Sequence, residues 1–338
     1  MPTIDLHAHA LVPDALERMG AEYPDHAPGL LEHEGLTWLT YPGRERLGPL
    51  PQGIFDPDRR LADMDTQGVD VQVIAIPPPQ FHYHVPAEVG VRFSEIQNDA
   101  LMALSDSAPD RLHLFGTLPL QDMTASLIEL DRIAAHPRLR GIQIGTNIDG
   151  VDLHAPVLAP LWEQLESSDL PVWVHPDQRS IAGARRLGVF YLQNLIGNPL
   201  ETTIAIASLI FGGVVVRHPR LRFGFVHGGG FAPYQTGRWT HGWRCRPEPR
   251  QHIPDVPPGE QFGRLYFDSL THDALSLGLL GRRVGWDHVV LGSDYPFDMA
   301  SPDPVGGVDA VGLDPDQRDA VLAGNAERFL RPVPQVVP

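Results

Sequence analysis

Eight short β-rich runs, each separated from the next by a stretch with helical periodicity, constrain this chain more than any other feature. The runs fall at 3–9, 69–76, 112–118, 139–145, 171–175, 221–227, 264–270 and 288–295. Between them, apolar residues recur every three or four positions, as in Leu61 and Met64, or Val89, Phe93, Ile96 and Leu101. The last such segment, 314–329, opens with Asp314 as a helix cap and Pro315 at the first helical position. Strands alternating with helices build βαβ units and a parallel sheet. Eight units predict an α/β fold of the (β/α)8 TIM-barrel kind. An open doubly wound sheet is the competing architecture, but no G-x-G-x-x-G follows the first run. A length of 338 residues, 42% of them apolar, suits one barrel domain over 1–338 with a sizeable core.

Two segments break the repeat. Residues 11–55 separate the first strand from its helix and read as a small inserted hairpin with a Pro/Gly-rich tail. An insertion there would sit over the C-terminal mouth of a barrel, where such enzymes bind substrate. Residues 240–262 are polar and proline-rich, carry Arg244, Arg246 and Arg250, and read as a long loop.

Composition excludes several functions. The formal charge of −16 opposes nucleic acid or an anionic membrane as partner. A single cysteine, Cys245, allows no internal disulfide. There is no lysine, so Schiff-base chemistry and a carbamylated-lysine metal bridge are both ruled out. With no signal pattern and no apolar run long enough to span a bilayer, a cytoplasmic location is expected.

The chemistry-bearing residues sit at strand ends. Asp5-Leu6-His7-Ala8-His9 places two histidines at i and i+2, on one face of a strand. Run five ends in His175, run six in His227, and run eight carries Asp294. In a barrel these ends converge on one mouth. His7, His9, His175 and Asp294 can offer three imidazoles and a carboxylate to one divalent ion, leaving a position for water or substrate. Such an ion would lower the pKa of a bound water. His227 precedes Gly228-Gly229-Gly230 and is left as a general acid/base, with a fifth ligand as the competing role. Phe81, Phe190, Tyr191, Trp243 and Phe297 are candidates to line a flat apolar pocket, and Asp268, at the end of run seven, reads as an acid that backs a ligand or holds structure rather than as a catalytic one.

Several motifs carry a family likeness. They are Ile4-Asp5-Leu6-His7-Ala8-His9, Val174-His175-Pro176, Val226-His227-Gly228-Gly229-Gly230 and Gly292-Ser293-Asp294-Tyr295-Pro296-Phe297. They resemble the amidohydrolase superfamily, and more narrowly the branch containing 2-amino-3-carboxymuconate-6-semialdehyde decarboxylase. The likeness extends to Gly116-Thr117-Leu118-Pro119, Gly141-Ile142-Gln143-Ile144-Gly145 and Glu201-Thr202-Thr203. It implies a non-oxidative carboxy-lyase with one Zn2+ per subunit, ligated by His7, His9, His175 and Asp294, with His227 and Asp294 in the catalytic machinery. It also implies a homodimer in which Arg246 reaches the neighbouring subunit's site and binds a substrate carboxylate. The implied substrate is a small aromatic or conjugated amino- or hydroxy-carboxylic acid. The chain departs from the branch at two places. No arginine occupies Leu47-Gly48-Pro49-Leu50, so Arg44 or Arg46 would have to serve, and Asp177 follows His175-Pro176 where the branch has tryptophan. A metal-dependent hydrolase, or a benzoxazole-forming cyclase acting on an aromatic amide or ester, is the alternative outcome from the same site.

Overall fold

The computed structural model describes residues 1–43 and 46–332. Its centre is a parallel sheet of eight strands in chain order. These are β1 (Ile4–His9), β2 (Val71–Ala75), β3 (Leu112–Gly116), β4 (Leu139–Gly145), β5 (Val172–His175), β6 (Phe223–Phe225), β7 (Tyr266–Asp268) and β8 (Val289–Val290). The sheet closes on itself. Leu6 N donates to Leu291 O at 3.0 Å, His9 N to Tyr295 O at 2.8 Å, and Asp294 N to His7 O at 2.7 Å, joining the last strand to the first. Around it lie α1 (Pro13–Glu22), α2 (Pro57–Gln67), α3 (Ala87–Ser107), α4 (Met123–Ala134), α5 (Ala159–Ser167), α6 (Asn198–Phe211), α7 (Ala232–Cys245) and α8 (Ala274–Val284). The barrel foreseen from the strand spacing is the fold.

Local chemistry sets the helix ends. Asp56 caps α2 by accepting from Arg59 N at 3.0 Å, and Pro57 takes the first turn, where no N–H is needed. Gly68 ends the helix at φ +68°, a left-handed position that glycine adopts without strain. Asp314 and Pro315 open the final segment as expected, but it runs in three pieces. Pro315–Asp319 passes through a wider π turn at Ala320–Gly324 into Asn325–Phe329.

Two expectations need correction. The polar stretch 240–262 is not one loop. Its first residues complete α7, and Pro258–Phe262 is a short helix. Trp239 and Trp243, four apart on α7, pack against the core and hold those turns helical despite the polar sequence. The 11–55 insertion contains α1 as well as the hairpin of Gly29–His33 and Leu36–Thr40. Ala15, Leu16 and Met19 bury one face of α1 against Leu39, Tyr41 and Phe93. Pro13 at its start was the available signal.

The core has two layers. Alternate strand residues face outward to the helices, while Val73, Phe115, Trp173 and Val290 fill the barrel with Phe329 from the C-terminal helix. The Trp173 ring lies 5.8 Å from Phe115 and 5.6 Å from Phe329, a floor directly beneath the strand ends. Trp173→Ala is expected to cost about 3–5 kcal/mol in urea unfolding, because fixed strands on all sides leave little room to collapse.

Candidate metal centre

β5 places Trp173 and His175 on the same inward face, the tryptophan below and the histidine at the rim. On β1 the pairing with β2 slips between Asp5 and Ala8, and both His7 and His9 reach the rim. Their rings sit 5.1 and 5.0 Å from that of His175. Asp294 follows β8 and completes the cluster. One ligand atom from each of His7, His9, His175 and Asp294 lies within 4.8 Å of all the others, and all four residues are buried.

Each imidazole is oriented from behind. His7 Nδ1 lies 2.7 Å from Asp268 Oδ2, His9 Nδ1 is 3.2 Å from Ile76 O, and His175 Nδ1 is 2.9 Å from Pro176 O. Each of these oxygens only accepts, so Nδ1 carries the proton and Nε2 faces the centre. All three Nε2 atoms are buried without a hydrogen-bond partner. Unpaired buried nitrogens are costly, and three aimed at one point fit a cation. Asp294 Oδ1 stands 3.3 Å from His7 Nε2 and 3.1 Å from His9 Nε2. Ligands of a tetrahedral zinc ion are spaced at roughly 3.3 Å, given bonds near 2.0–2.1 Å.

The electrostatics agree. Burial alone would suppress the His7 imidazolium, but the Asp294 carboxylate, followed by Asp268, pushes its pKa up to about 10. Burial would likewise raise Asp294, yet the neighbouring His7 first, then His227 and His9, hold it well below the usual carboxylate range. Burial lowers both His9 and His175. The pocket thus keeps a carboxylate ionised in a desolvated place through its histidine neighbours.

Asp268 is the acid at the end of run seven. It orients His7, and its Oδ1 also accepts from Gly228 N at 2.7 Å, tying the ligand to the turn that bears His227. Sequence reasoning overlooked Asp5. Its buried carboxylate accepts from Ser293 Oγ at 2.6 Å, Ser293 N and His7 N at 3.0 Å, and Gln72 Nε2 at 3.0 Å, locking β1, β2 and the Asp294 loop together. Its position two residues before His7 was the available signal.

His227 lies beside the cluster rather than in it. Its Nε2 is 3.6 Å from Asp294 Oδ2, and its Nδ1 is buried without a partner. His227 and Asp294 both adopt positive φ, +54° and +62°. A Cβ on Gly230 would fall 2.1 Å from Pro199 O, so the glycine lets the His227 turn press against α6. A cavity of about 330 Å³ opens next to His227, walled by Leu195, Asn198, Phe231, Leu270 and Met299.

The other candidate residues disperse. The Phe297 ring sits 5.3 Å from that of His9, at the rim. Tyr191 is half-exposed, with its hydroxyl 3.4 Å from Asp298 Oδ1. Phe190 beside it is 83% exposed, whereas Phe81 is buried and stacked on Tyr83. Arg46 covers the Trp38 ring at 4.3 Å, and Arg44 lies outside the described residues. Trp243 donates its indole N–H to Ile253 O at 2.8 Å beneath Arg250, and does not line the cavity. Arg246 is exposed at the end of α7 and pairs with its own chain's Glu248 at 2.6 Å. Asp177 is buried, and its Oδ1 accepts from Arg179 N at 3.1 Å.

The chain belongs to the amidohydrolase family, whose model matches residues 4–331. It is 35% identical to a 2-amino-3-carboxymuconate-6-semialdehyde decarboxylase of Dictyostelium discoideum, over 82% of this chain and 77% of that one. The Caenorhabditis elegans protein of the same name is 30% identical, over 88% and 86% respectively. In fold it is similar to 5-carboxyvanillate decarboxylase from Novosphingobium aromaticivorans, solved with bound manganese. That match has a TM-score of 0.79 at 19% identity and covers 97% of this chain and 96% of the other. No helix among the described residues is long and apolar enough to cross a membrane.

His175→Ala is expected to abolish stoichiometric metal in elemental analysis of the purified protein. Asp268→Asn should keep the fold but weaken metal binding roughly 10–100-fold in competition with a chromophoric chelator, since the amide oxygen can still accept from Gly228 N while His7 loses the carboxylate behind it.

Proposed function

We propose that this chain is a metal-dependent, non-oxidative decarboxylase of a small aromatic or conjugated carboxylic acid that carries a hydroxyl or amino group beside the carboxylate. One observation carries the reading: three oriented, unpaired imidazole nitrogens and an ionised carboxylate meet at one point, with a further histidine free at 3.6 Å. Relatives at 35% and 30% identity named as decarboxylases support it over hydrolysis or cyclisation.

His7, His9, His175 and Asp294 would hold the ion, which we take to be zinc, one per subunit. The all-nitrogen-and-oxygen donor set also suits manganese. When bound, the ion would act as a Lewis acid that holds the substrate by its oxygen atoms. The chain's own groups do the rest. His227 delivers a proton to the carbon bearing the carboxylate. The bond to CO2 then breaks, and its electron pair returns to the conjugated system. The partnerless Nδ1 leaves the ring free to exchange that proton. Asp294 Oδ2 faces the His227 ring from 3.6 Å and helps to hold it in place. Phe297 lies against His9 and offers an apolar wall to a flat ring. Exposure of Arg246 at the end of α7 supports a homodimer in which it takes a carboxylate in the neighbouring site, exchanging Glu248 for substrate.

The test is CO2 release from a panel of ortho-hydroxy and ortho-amino aromatic acids by metal-loaded protein. Products retaining every carboxylate would overturn the reading. His227→Gln should keep its metal and lower kcat roughly 100- to 10,000-fold. Mixing inactive His227→Gln and Arg246→Ala proteins should restore activity if one subunit completes the other's site; no recovery would confine Arg246 to its own chain.

A further inference from the structure

The end of the barrel opposite the metal centre holds a cluster of positive charge with no carboxylate paired to it among the described residues. Arg138 lies just before β4, and Arg140 is its second residue. Leu114 of β3 pairs with Leu139 while the next residue, Phe115, pairs with Gly141, so Arg140 is an extra residue in the ladder. Such bulges re-aim a side chain. Arg140 is 1% exposed. Its Nη1 donates to Pro137 O at 2.9 Å and Leu139 O at 3.3 Å, but its Nη2 is buried with no partner. Arg138 Nε and His113 Nδ1 are also buried and unpaired. Arg331 crosses the same floor, its N donating to Arg140 O at 3.1 Å and its Nη1 to Ala134 O at 2.6 Å.

No carboxylate among the described residues pairs with Arg138, Arg140 or Arg331, although neighbours such as Arg111 and Arg132 have theirs. The C-terminus of α4 offers carbonyls, but a helix end carries only about half an elementary charge. Three guanidiniums exceed that severalfold. Burial, then Arg138 and Arg331, pushes the Arg140 pKa down to about 10. Burial, then Arg140 and Arg138, pushes His113 down to about 3. Like charges gathered this way, with one guanidinium buried, repel one another and lose hydration unless an anion offsets them.

We propose that this floor is a binding site for a small oxyanion of the phosphate class, held by Arg140 Nη2 and Arg138 Nε with Arg331 at its edge. Arginine forks suit such an anion, and the partial exposure of Arg138 and Arg331 gives it a way in. The site is independent of the metal centre and of the reaction assigned to it.

Inorganic phosphate is titrated into the metal-loaded protein at constant ionic strength near neutral pH. The melting temperature and the His113 imidazole resonance, assigned with His113→Gln, are followed together. A saturable shift of both with one midpoint is expected. Arg140→Met should abolish both at unchanged metal content, and Arg331→Gln should weaken the midpoint roughly tenfold. No saturable change at His113, or one that survives Arg140→Met, would overturn the proposal. Should Arg140→Met fail to fold, an unchanged midpoint in Arg331→Gln would do the same.

Discussion

Three imidazole Nε2 atoms and one carboxylate oxygen, forced together out of water, are the constraint that organises this protein. None of them can satisfy the others. The nitrogens lack hydrogen-bond partners, and the surrounding histidines hold Asp294 well below the usual carboxylate range. The arrangement is stable as a unit only with a cation at its centre. Much of the rim serves to aim these atoms. Asp268, Ile76 O and Pro176 O each fix one ring from behind, and Asp268 also ties the His227 turn to the same network.

The support continues outward in shells of hydrogen bonds rather than through apolar packing alone. Asp5 joins β1 to the Ser293-Asp294 loop, and Gln72 carries the link to β2. Arg60 of α2 bonds Gln72 Oε1 at 2.7 Å and His9 O at 2.5 Å. Burial raises the Asp5 pKa and lowers that of Arg60, which marks how far from solvent this framework lies. Beneath it Trp173, Phe115 and Phe329 fill the barrel, so the ligands rest on a packed floor. Precision at the rim follows from rigidity at both levels.

Sequence pattern revealed what depends on periodicity and on strand ends. The eight runs predicted the barrel, and His7, His9, His175 and Asp294 could be placed at one mouth because parallel strands bring their ends together. Other features were hidden because they depend on contacts between distant segments. Asp268 and Asp5 look like ordinary carboxylates until β1, β7 and β8 are adjacent. The polar look of 240–262 concealed the end of α7, since Trp239 and Trp243 outweigh their neighbours only when a core lies beneath them. Trp243 itself illustrates the limit: an aromatic near the expected mouth turned out to be bound to Ile253 O.

The hydrogen bonds that close the barrel, from His9 N to Tyr295 O and from Asp294 N to His7 O, join β1 to a segment far along the chain. A histidine pair therefore leaves the ribosome long before the aspartate it must meet. The four candidate ligands can come together only once Asp294 has emerged and β8 has closed the barrel against β1. Until then His7 and His9 are an open chelating pair, accessible to whichever transition ion the surroundings supply.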